Sequence, residues 1–390
     1  MSPDASRALG QEVIVRVATF NLQDVSTAEI LAGDTPRLKH LAEIIQRVRP
    51  NVILLNEIAY DMPGAPDVPR GPGQTPGQNG QRFADIYLSH PQTEGGRGLK
   101  FKSFMASTNT GVPSGMDLDR NGQVVTVYTP PPKRAPGDAI SEAGREYGND
   151  CWGFGTYPGQ FGMALLVDER LTILADQART FQLLPWDYIP GAFIPLEPDG
   201  RTSWYSTAVL ETLRLSSKSH WDVPVKLPNG AVIHFLCSHP TPPVFDGPER
   251  RNARRNHDEI RFWADYIEDA SYVVDDANQP GGLAPDAHFV ILGDLNADPD
   301  EGSSFKDPIG TVLGSVRRIQ KLDAPTSDRA IEGLDPDDTA MFKLRVDYVL
   351  PSAGLRAVRS GVWRSPASGE QAAFPSDHFP VWMEVAVPSP

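Results

Sequence analysis

The stretch G-D-L-N-A-D-P-D (293–300) follows directly on the apolar run A-H-F-V-I-L (287–292). The apolar run predicts a buried β-strand that ends at Asp294. Asp294 and Asn296 place a carboxylate and an amide two residues apart, which supplies a metal ligand and a neutral hydrogen-bond donor. That pair is what is needed to hold a nucleophilic water and a phosphate oxygen. The alternative interpretation is an acidic turn without a chemical role.

Four more predicted strands end on, or carry, a polar residue of a kind that binds metal or moves protons. These are V-I-V-R-V-A-T-F (13–20) before Asn21, V-I-L-L (52–55) before Asn56 and Glu57, A-V-I-H-F-L-C-S (231–238) before His239, and R-V-D-Y-V-L (345–350) with Asp347. A last strand is predicted at P-V-W-M-E-V-A-V (380–387). Sites in layered folds lie where strand ends and their loops converge, so we expect these residues to meet on one edge.

Helices are predicted between some of these strands. Apolar residues recur at helical spacing from Leu38 to Val48, with Pro36 suited to the first turn and Pro50 ending the element. A second helix is predicted around Glu259 to Ile267.

Asp347 and the C-terminal motif P-S-D-H-F-P-V (375–381) are predicted to cooperate. An ionised carboxylate inside a strand is costly unless it is paired, and a histidine is a natural partner because the carboxylate fixes the ring tautomer. The motif offers His378, beside the oxygen ligand Asp377. For His239 the two interpretations are a proton donor or phosphate ligand, and a structural histidine.

Composition places the chain among soluble globular proteins: 390 residues, 40% hydrophobic and 22% charged. We expect one elaborated domain over residues 13–387, because large layered folds hold this length with long insertions. The formal net charge of −14 argues against non-specific polyanion binding, although bound divalent metals or a local basic patch can reverse the potential where a phosphate sits. The segment E-R-R-N-A-R-R-N-H (249–257) is either such a patch or a solvated helix surface.

No stretch approaches the roughly 20 apolar residues that span a bilayer, and residues 1–7 contain no apolar signal region. We therefore expect a soluble, cytoplasmic monomer without a transmembrane segment; a secreted or periplasmic location would follow if a signal peptide had been removed. Cys151 and Cys237 are too few for a disulfide framework, and one bridge and two buried free thiols both remain possible.

Two irregular regions interrupt the predicted strands and are interpreted as insertions. Residues 61–160 are rich in Gly and Pro, as in R-G-P-G-Q-T-P-G-Q-N-G (70–80), and are a candidate for shaping a substrate entrance. Residues 181–221 carry three tryptophans that either form a binding wall or pack the loop onto the body: Trp186, Trp204 and Trp221.

Within the first insertion, S-G-M-D-L-D-R-N-G (114–122) is spaced like the first half of a calcium loop. Asp117, Asp119 and Asn121 are the candidate ligands, and Gly122 lies where such loops turn sharply. The twelfth position is Tyr128 where a bidentate Glu is usual. The sequence therefore leaves a second, calcium-binding site and a plain polar turn as alternatives.

The order of these motifs resembles the endonuclease/exonuclease/phosphatase superfamily, which includes deoxyribonucleases of the pancreatic type, apurinic endonucleases, bacterial sphingomyelinases and inositol polyphosphate phosphatases. The resemblance covers Val13 to Val387 and rests on F-N, N-E, S-H-P, G-D-L-N, R-V-D-Y-V-L and S-D-H-F-P in the family's order. It implies an α/β (α+β) fold: a four-layer sandwich of two packed mixed β-sheets flanked by helices, with long loop insertions.

The resemblance also implies roles for the site residues. Glu57 would be the principal metal ligand, supported by Asn21 and Asp377. Asp294 and Asn296 would position the attacking water and the phosphate. His378 would contact the phosphate or move a proton, and Asp347 would orient it. His239 matches the second histidine of the deoxyribonuclease and sphingomyelinase branches. Asn56 departs from the family pattern, since many members have Gln before the metal-binding Glu.

The expected activity is hydrolysis of a phosphodiester or phosphomonoester by water, with Mg²⁺ or Mn²⁺ as the cofactor because oxygen ligands favour hard ions. The substrate is expected to be a nucleic acid, a nucleotide or a phospholipid head group. Nuclease-like activity and lipid or small-molecule phosphoesterase activity are alternatives that the fold and the catalytic set serve equally. A non-catalytic binding relative is disfavoured, because every required position holds the expected residue type.

Overall fold

The computed structural model describes residues 12–69, 75–130, 137–367 and 373–390. The N-terminal residues that lack an apolar signal region, and residues 70–74 of the Gly/Pro-rich stretch, lie outside the described residues. The strands are β1 (Val13–Val25), β2 (Val52–Ile58), β3 (Phe101–Phe104), β4 (Met163–Asp168), β5 (Thr172–Ile173), β6 (Arg179–Thr180), β7 (His220–Lys226), β8 (Val232–Ser238), β9 (His288–Asp294), β10 (Asp347–Pro351), β11 (Arg356–Val362) and β12 (Val381–Val387). The α-helices are α1 (Thr27–Ala32), α2 (Pro36–Val48), α3 (Asn79–Phe83), α4 (Glu142–Asn149), α5 (Thr207–Leu210) and α6 (Arg251–Ile267).

The strands form two mixed sheets. The first has the order β11-β12-β1-β2-β4-β3, and the second has the order β10-β9-β8-β7-β5, with β6 paired to β7. In the first sheet β1 and β2 are parallel, and in the second β8 and β9 are parallel, while the remaining pairs are antiparallel. Because parallel neighbours end at the same edge of a sheet, each pair delivers its last residues to one place.

The two sheets pack face to face, with helices outside them, which confirms the expected sandwich. Alternate residues of the central strands explain the layers. Val52 and Leu54 of β2 point into the apolar layer between the sheets, whereas Ile53 and Leu55 pack with α1, α2 and α3 on the outside. On the second sheet, the outward side of β9 packs in the same way with α6.

The main predicted elements are present, with differences at their ends. Helix α2 begins at Pro36 and ends at Val48, and its C-cap Arg49 has a left-handed φ of 52° before Pro50. Helix α6 begins at Arg251, eight residues before the predicted start, because the arginines of its first turns make it too polar to show apolar spacing. Strand β11, R-A-V-R-S-G-V, was not predicted, since it is an edge strand with five of its seven residues at least partly exposed.

The two irregular regions contain ordered elements. Residues 61–160 include β3, which hydrogen-bonds to β4 at the edge of the first sheet, as well as α3 and α4. The division into one domain with two insertions remains a prediction. Across the described ranges, no helix combines the length and the apolar composition needed to cross a membrane.

The tryptophans of residues 181–221 pack into the body. Trp186 and Trp221 are fully buried, and Trp204 packs against the same apolar cluster as Trp186. The indole N–H of Trp186 donates to Asp258 Oδ2 at 2.8 Å, which ties the segment to α6. These contacts favour the packing interpretation over a binding wall. Cys151 and Cys237 are both buried free thiols, which decides between the two interpretations of the cysteines.

Candidate active site

The predicted site residues meet around the buried carboxylate of Asp294, the last residue of β9. Asn21 Nδ2 donates to Asp294 Oδ2 at 3.0 Å. The Nε2 atoms of His239 and His378 lie 3.4 Å and 3.7 Å from the same oxygen. Asn21 belongs to the first sheet, whereas His239 and Asp294 follow the parallel strands of the second, so the site joins both sheets at one edge.

Asn21 and Glu57 are brought together by the parallel strands β1 and β2. Asn21 Nδ2 donates to Glu57 Oε1 at 3.1 Å, and the other carboxylate oxygen accepts the backbone N–H of Asp24 at 3.0 Å. Glu57 has a φ of 59°, an unusual conformation for a residue other than glycine inside a strand. Strain of this kind is kept at functional sites, where the surrounding structure fixes it.

Asn296 lies two residues after Asp294, beyond the end of β9 in the second sheet. Its backbone N–H donates to Asp294 Oδ1 at 2.9 Å, and its side-chain Nδ2 donates to the carbonyl of Pro240 at 3.1 Å. An amide nitrogen carries two N–H groups, so one of them has no acceptor among the residues that the structure describes.

His378 and Asp347 form a buried hydrogen-bonded pair. Asp347 is the first residue of β10 and lies directly opposite Asp294 in the antiparallel register with β9. Its Oδ2 is 2.8 Å from His378 Nδ1, which leaves Nε2 of the ring facing Asp294. One ligand atom from each of Asp294, Asp347 and His378 lies within 4.8 Å of the others. The carboxylate thus fixes the orientation of the ring.

The charges of this cluster are strongly interdependent. Although burial alone would lower the pKa of His378, the carboxylates of Asp347 and Asp294 raise it, so the ring is an imidazolium at neutral pH. Burial would raise the pKa of Asp294, but the nearby His378 and His239 hold it well below its usual range. Burial lowers the pKa of His239 to about 4, so this second histidine is neutral at pH 7.

The oxygen ligands around Glu57 fit a hard divalent cation. Burial first, and then the neighbouring Asp24 carboxylate, raise the pKa of Glu57 to about 7, and Asp377 adds to this effect. Several carboxylates held close together in a half-buried place are unfavourable by themselves, and a divalent cation relieves that repulsion. Oxygen donors of this type are the ones that Mg²⁺ and Mn²⁺ prefer.

The segment that carries Asp377 and His378 is pinned to the site by its own serine. Ser376 Oγ donates to the backbone carbonyl of Asn21 at 2.7 Å and accepts the backbone N–H of His378 at 3.1 Å. The partly exposed ring of Phe342 packs edge-on against His378, with 5.3 Å between ring centroids. The C-terminal motif therefore connects the histidine to β1.

The sequence model of the endonuclease/exonuclease/phosphatase family matches residues 18–378, which is nearly the whole chain. The chain belongs to this family. Members of the superfamily are phosphoesterase hydrolases, and the family match confirms the expected resemblance. No curated protein matches the sequence.

Solved structures of the same fold are similar to the chain at low sequence identity. An endonuclease/exonuclease/phosphatase from Beutenbergia cavernae is 17% identical, with a TM-score of 0.51 over 96% of this chain and 72% of that chain. The human Nocturnin catalytic domain with bound sulfate anion is 12% identical, with a TM-score of 0.48 over 96% and 97%. Truncated TDP2 from Caenorhabditis elegans is 13% identical, with a TM-score of 0.43 over 96% and 98%.

Asn56 departs from the family pattern, and its side chain links the two sheets, a role that the sequence did not predict. It is fully buried in β2, and its Oδ1 accepts the backbone N–H of Asp294 at 3.3 Å and the hydroxyl of Thr19 at 3.1 Å. The first of these bonds crosses from one sheet to the other. The only sequence signal was a polar amide at the end of an otherwise apolar strand.

The proposed calcium ligands form a separate cluster that differs from the predicted loop. Oxygens of Asp117 and Asp119 come within 4.8 Å of Asp150, a residue of a different segment. Asn121 Oδ1 instead accepts the backbone N–H of Gln123 at 2.8 Å. The third carboxylate of the cluster is thus Asp150, and the calcium site remains a prediction.

Arginines of the segment 249–257 make hydrogen bonds within the fold and contribute less to a basic surface. Arg255 donates to the carbonyls of Leu215 at 2.8 Å and Trp152 at 2.6 Å, and Arg251 donates to the carbonyl of Leu118 at 2.8 Å. These bonds fix irregular loops to α6. The structure therefore gives little support to a long polyanion-binding face on this helix.

Proposed function

We propose that this family member is a metal-dependent phosphodiesterase that hydrolyses its substrate by direct attack of water. The observation that carries the proposal is the convergence of four polar side chains on Asp294 from both sheets: Asn21, His239, His378 and, through the ring of His378, Asp347. An arrangement that places an ionised acid, an imidazolium and neutral donors around one point is suited to phosphoryl transfer to water.

Glu57, with Asn21 and Asp377 beside it, would hold Mg²⁺ or Mn²⁺. When bound, such an ion supplies positive charge that offsets the negative charge of the phosphate. Glu57 must be deprotonated to act as a ligand, and its pKa of about 7 makes this step sensitive to pH near neutrality.

Asp294 would receive the proton of the attacking water. The water oxygen forms a bond to phosphorus, the bond from phosphorus to the leaving oxygen breaks, and His378 gives its proton to that leaving oxygen. The pKa of Asp294 is held low mainly by His378, so it rises once the imidazolium has lost its proton. Loss of the proton from His378 therefore makes Asp294 a stronger base for the proton of the attacking water.

The phosphate would be held by donors that are mostly neutral. Asn296 has an N–H group to spare, and His239 is uncharged at neutral pH, so both can donate hydrogen bonds without adding charge. Neutral donors beside one imidazolium suit the single negative charge of a diester better than the double charge of a monoester. This charge balance is why we propose a diester as the substrate.

The experiment is hydrolysis of bis-(p-nitrophenyl) phosphate, p-nitrophenyl phosphate, plasmid DNA and sphingomyelin by the full chain, with Mg²⁺, with Mn²⁺ and with chelator. We expect metal-dependent turnover that is faster on a diester than on the monoester. Rates on plasmid DNA and sphingomyelin will separate a nuclease from a lipid phosphodiesterase.

His378→Ala is the matched variant, and His40→Ala is its control, because His40 lies on the outer helix α2. We expect His378→Ala to abolish most of the turnover and His40→Ala to leave it unchanged. Absence of metal-dependent turnover on all four substrates, or full activity of His378→Ala, would contradict the proposal.

A further inference from the structure

Lys218 is a buried lysine at the edge of the site, and neither the motifs nor the proposed mechanism gives it a role. It lies two residues before β7 and is only 6% exposed. Its Nζ donates to the carbonyl of Pro240, the residue after His239, at 3.3 Å. An ammonium group has three N–H donors, and this is its one hydrogen bond within the described part of the chain.

The carbonyl of Pro240 also joins Lys218 to Asn296. The same oxygen accepts Asn296 Nδ2 at 3.1 Å, so the ammonium and the amide are neighbours on one acceptor. Asn296 is the residue that we propose to hold a phosphate oxygen. Lys218 therefore lies beside the phosphate position.

Carboxylates surround Lys218, but within the described residues its Nζ makes a hydrogen bond only to the carbonyl of Pro240. Burial lowers the pKa of Lys218, and the carboxylates of Glu259, Glu57 and Asp294 act in the opposite direction. Each carboxylate oxygen of Glu259 already accepts a backbone N–H at 2.6 Å, one from Ser217 and the other from Thr241, and the first also accepts the Ser217 hydroxyl at 2.9 Å. Two of the three ammonium N–H groups therefore have no acceptor among the described residues, and an anion in the site would be a suitable one.

We propose that Lys218 is a phosphate-binding residue whose ammonium donates to a non-bridging oxygen of the scissile phosphate, next to the Asn296 amide. The contact strengthens as negative charge accumulates on that oxygen in the transition state, because Lys218 is buried and its ammonium is already in place. The inference rests on the proposed function for the location of the phosphate. It adds one donor that the family motifs do not include, and because the carboxylates of Glu259, Glu57 and Asp294 offset its charge, the charge balance that suits a diester is kept.

The test compares Lys218→Met with Lys226→Met in the full chain with Mg²⁺. Methionine keeps the length of the side chain and removes its charge, and Lys226 is the exposed residue at the far end of β7. For each variant we would measure kcat and KM on bis-(p-nitrophenyl) phosphate and the Kd of inorganic phosphate by calorimetry. Neither KM nor Kd depends on the fraction of protein that is folded, so both separate a binding role from a structural one.

We expect Lys218→Met to lower kcat/KM by about 100-fold, the usual effect of losing one transition-state donor, and to weaken phosphate binding by about 10-fold. Lys226→Met should change neither quantity. Unaltered phosphate affinity in Lys218→Met would overturn the inference, whether or not its kcat falls. If the wild-type chain binds phosphate but hydrolyses nothing, the proposed function fails, while a weaker Kd in Lys218→Met still supports this residue.

Discussion

Gly293→Ala tests the close approach of β8 and β9, which places His239 beside Asp294. Gly293 has a φ of 148°, and a Cβ atom at this position would lie 1.9 Å from the backbone carbonyl oxygen of Ser238. That oxygen belongs to the neighbouring strand and cannot rotate away as the end of a side chain could. The alanine methyl group therefore forces the two strands apart at their catalytic ends.

The expected loss of stability has two parts. A non-glycine residue in this backbone region costs on the order of 1–3 kcal/mol. Overpacking against a fixed neighbour costs typically another ~1–3 kcal/mol. We therefore expect Gly293→Ala to lower the free energy of unfolding by about 2–6 kcal/mol. A displacement of about 1 Å in the site would also lower kcat/KM by about 100-fold.

Gly115→Ala is the control that separates the two parts. Gly115 has a φ of 77°, but nothing lies within 4 Å of the added Cβ, so this variant has backbone strain without a clash. It should lose only about 1–2 kcal/mol. Urea unfolding followed by tryptophan fluorescence gives both free energies, and hydrolysis of bis-(p-nitrophenyl) phosphate gives the activity. Equal stability of the two variants, together with full activity of Gly293→Ala, would contradict the predicted separation of β8 and β9.

Three further predictions concern charge and packing. Asp347→Asn removes a carboxylate that raises the pKa of His378, so the ring loses its proton at lower pH. The alkaline limb of the pH–rate profile should move to lower pH and kcat should fall by about 10²–10⁴-fold; an unmoved limb would contradict the proposed pair. Because burial and a neighbouring carboxylate raise the pKa of Glu57 to about 7, activation by Mg²⁺ should require less metal at pH 8 than at pH 6, and equal requirements would argue against Glu57 as a ligand. Trp186→Phe loses a buried hydrogen bond and part of a packed ring, so unfolding should become easier by about 2–4 kcal/mol in urea while KM stays unchanged; a raised KM would revive the binding-wall interpretation.

The fold was predictable because its central strands carry their signal locally. The runs before Asn21, Glu57 and Asp294 are apolar and rich in β-branched residues, since both faces of these strands are covered. The apolar part of each run ends within two residues of the one that enters the site, although β1 itself continues to Val25 and β2 to Ile58. The sequence therefore indicated both the strands and the residues that the structure brings together at their ends.

Other features depend on contacts between distant segments and left no local signal. β11 is an exposed edge strand whose polar residues resemble a loop. In the sequence Asn56 and Lys218 resemble ordinary polar residues. Their contacts are with distant segments: Asn56 accepts the backbone N–H of Asp294 on the other sheet, and Lys218 donates to the carbonyl of Pro240. The carboxylate that completes the Asp117 and Asp119 cluster comes from a segment about 30 residues later, which no spacing rule for a continuous loop includes.

The position of Asp294 depends on both sheets, and this links catalysis to the core. Its carboxylate is held by Asn21 of β1 at 3.0 Å and its backbone N–H by Asn56 of β2 at 3.3 Å, although Asp294 itself ends β9. The apolar layer formed by residues such as Leu54 and Leu292 sets the spacing of the sheets behind these bonds. Because interiors are close-packed and transmit strain, a volume change in that layer shifts one sheet against the other. The hydrogen bonds across the sheets would then lengthen before the fold is lost, so activity should be more sensitive than stability to substitutions in this layer.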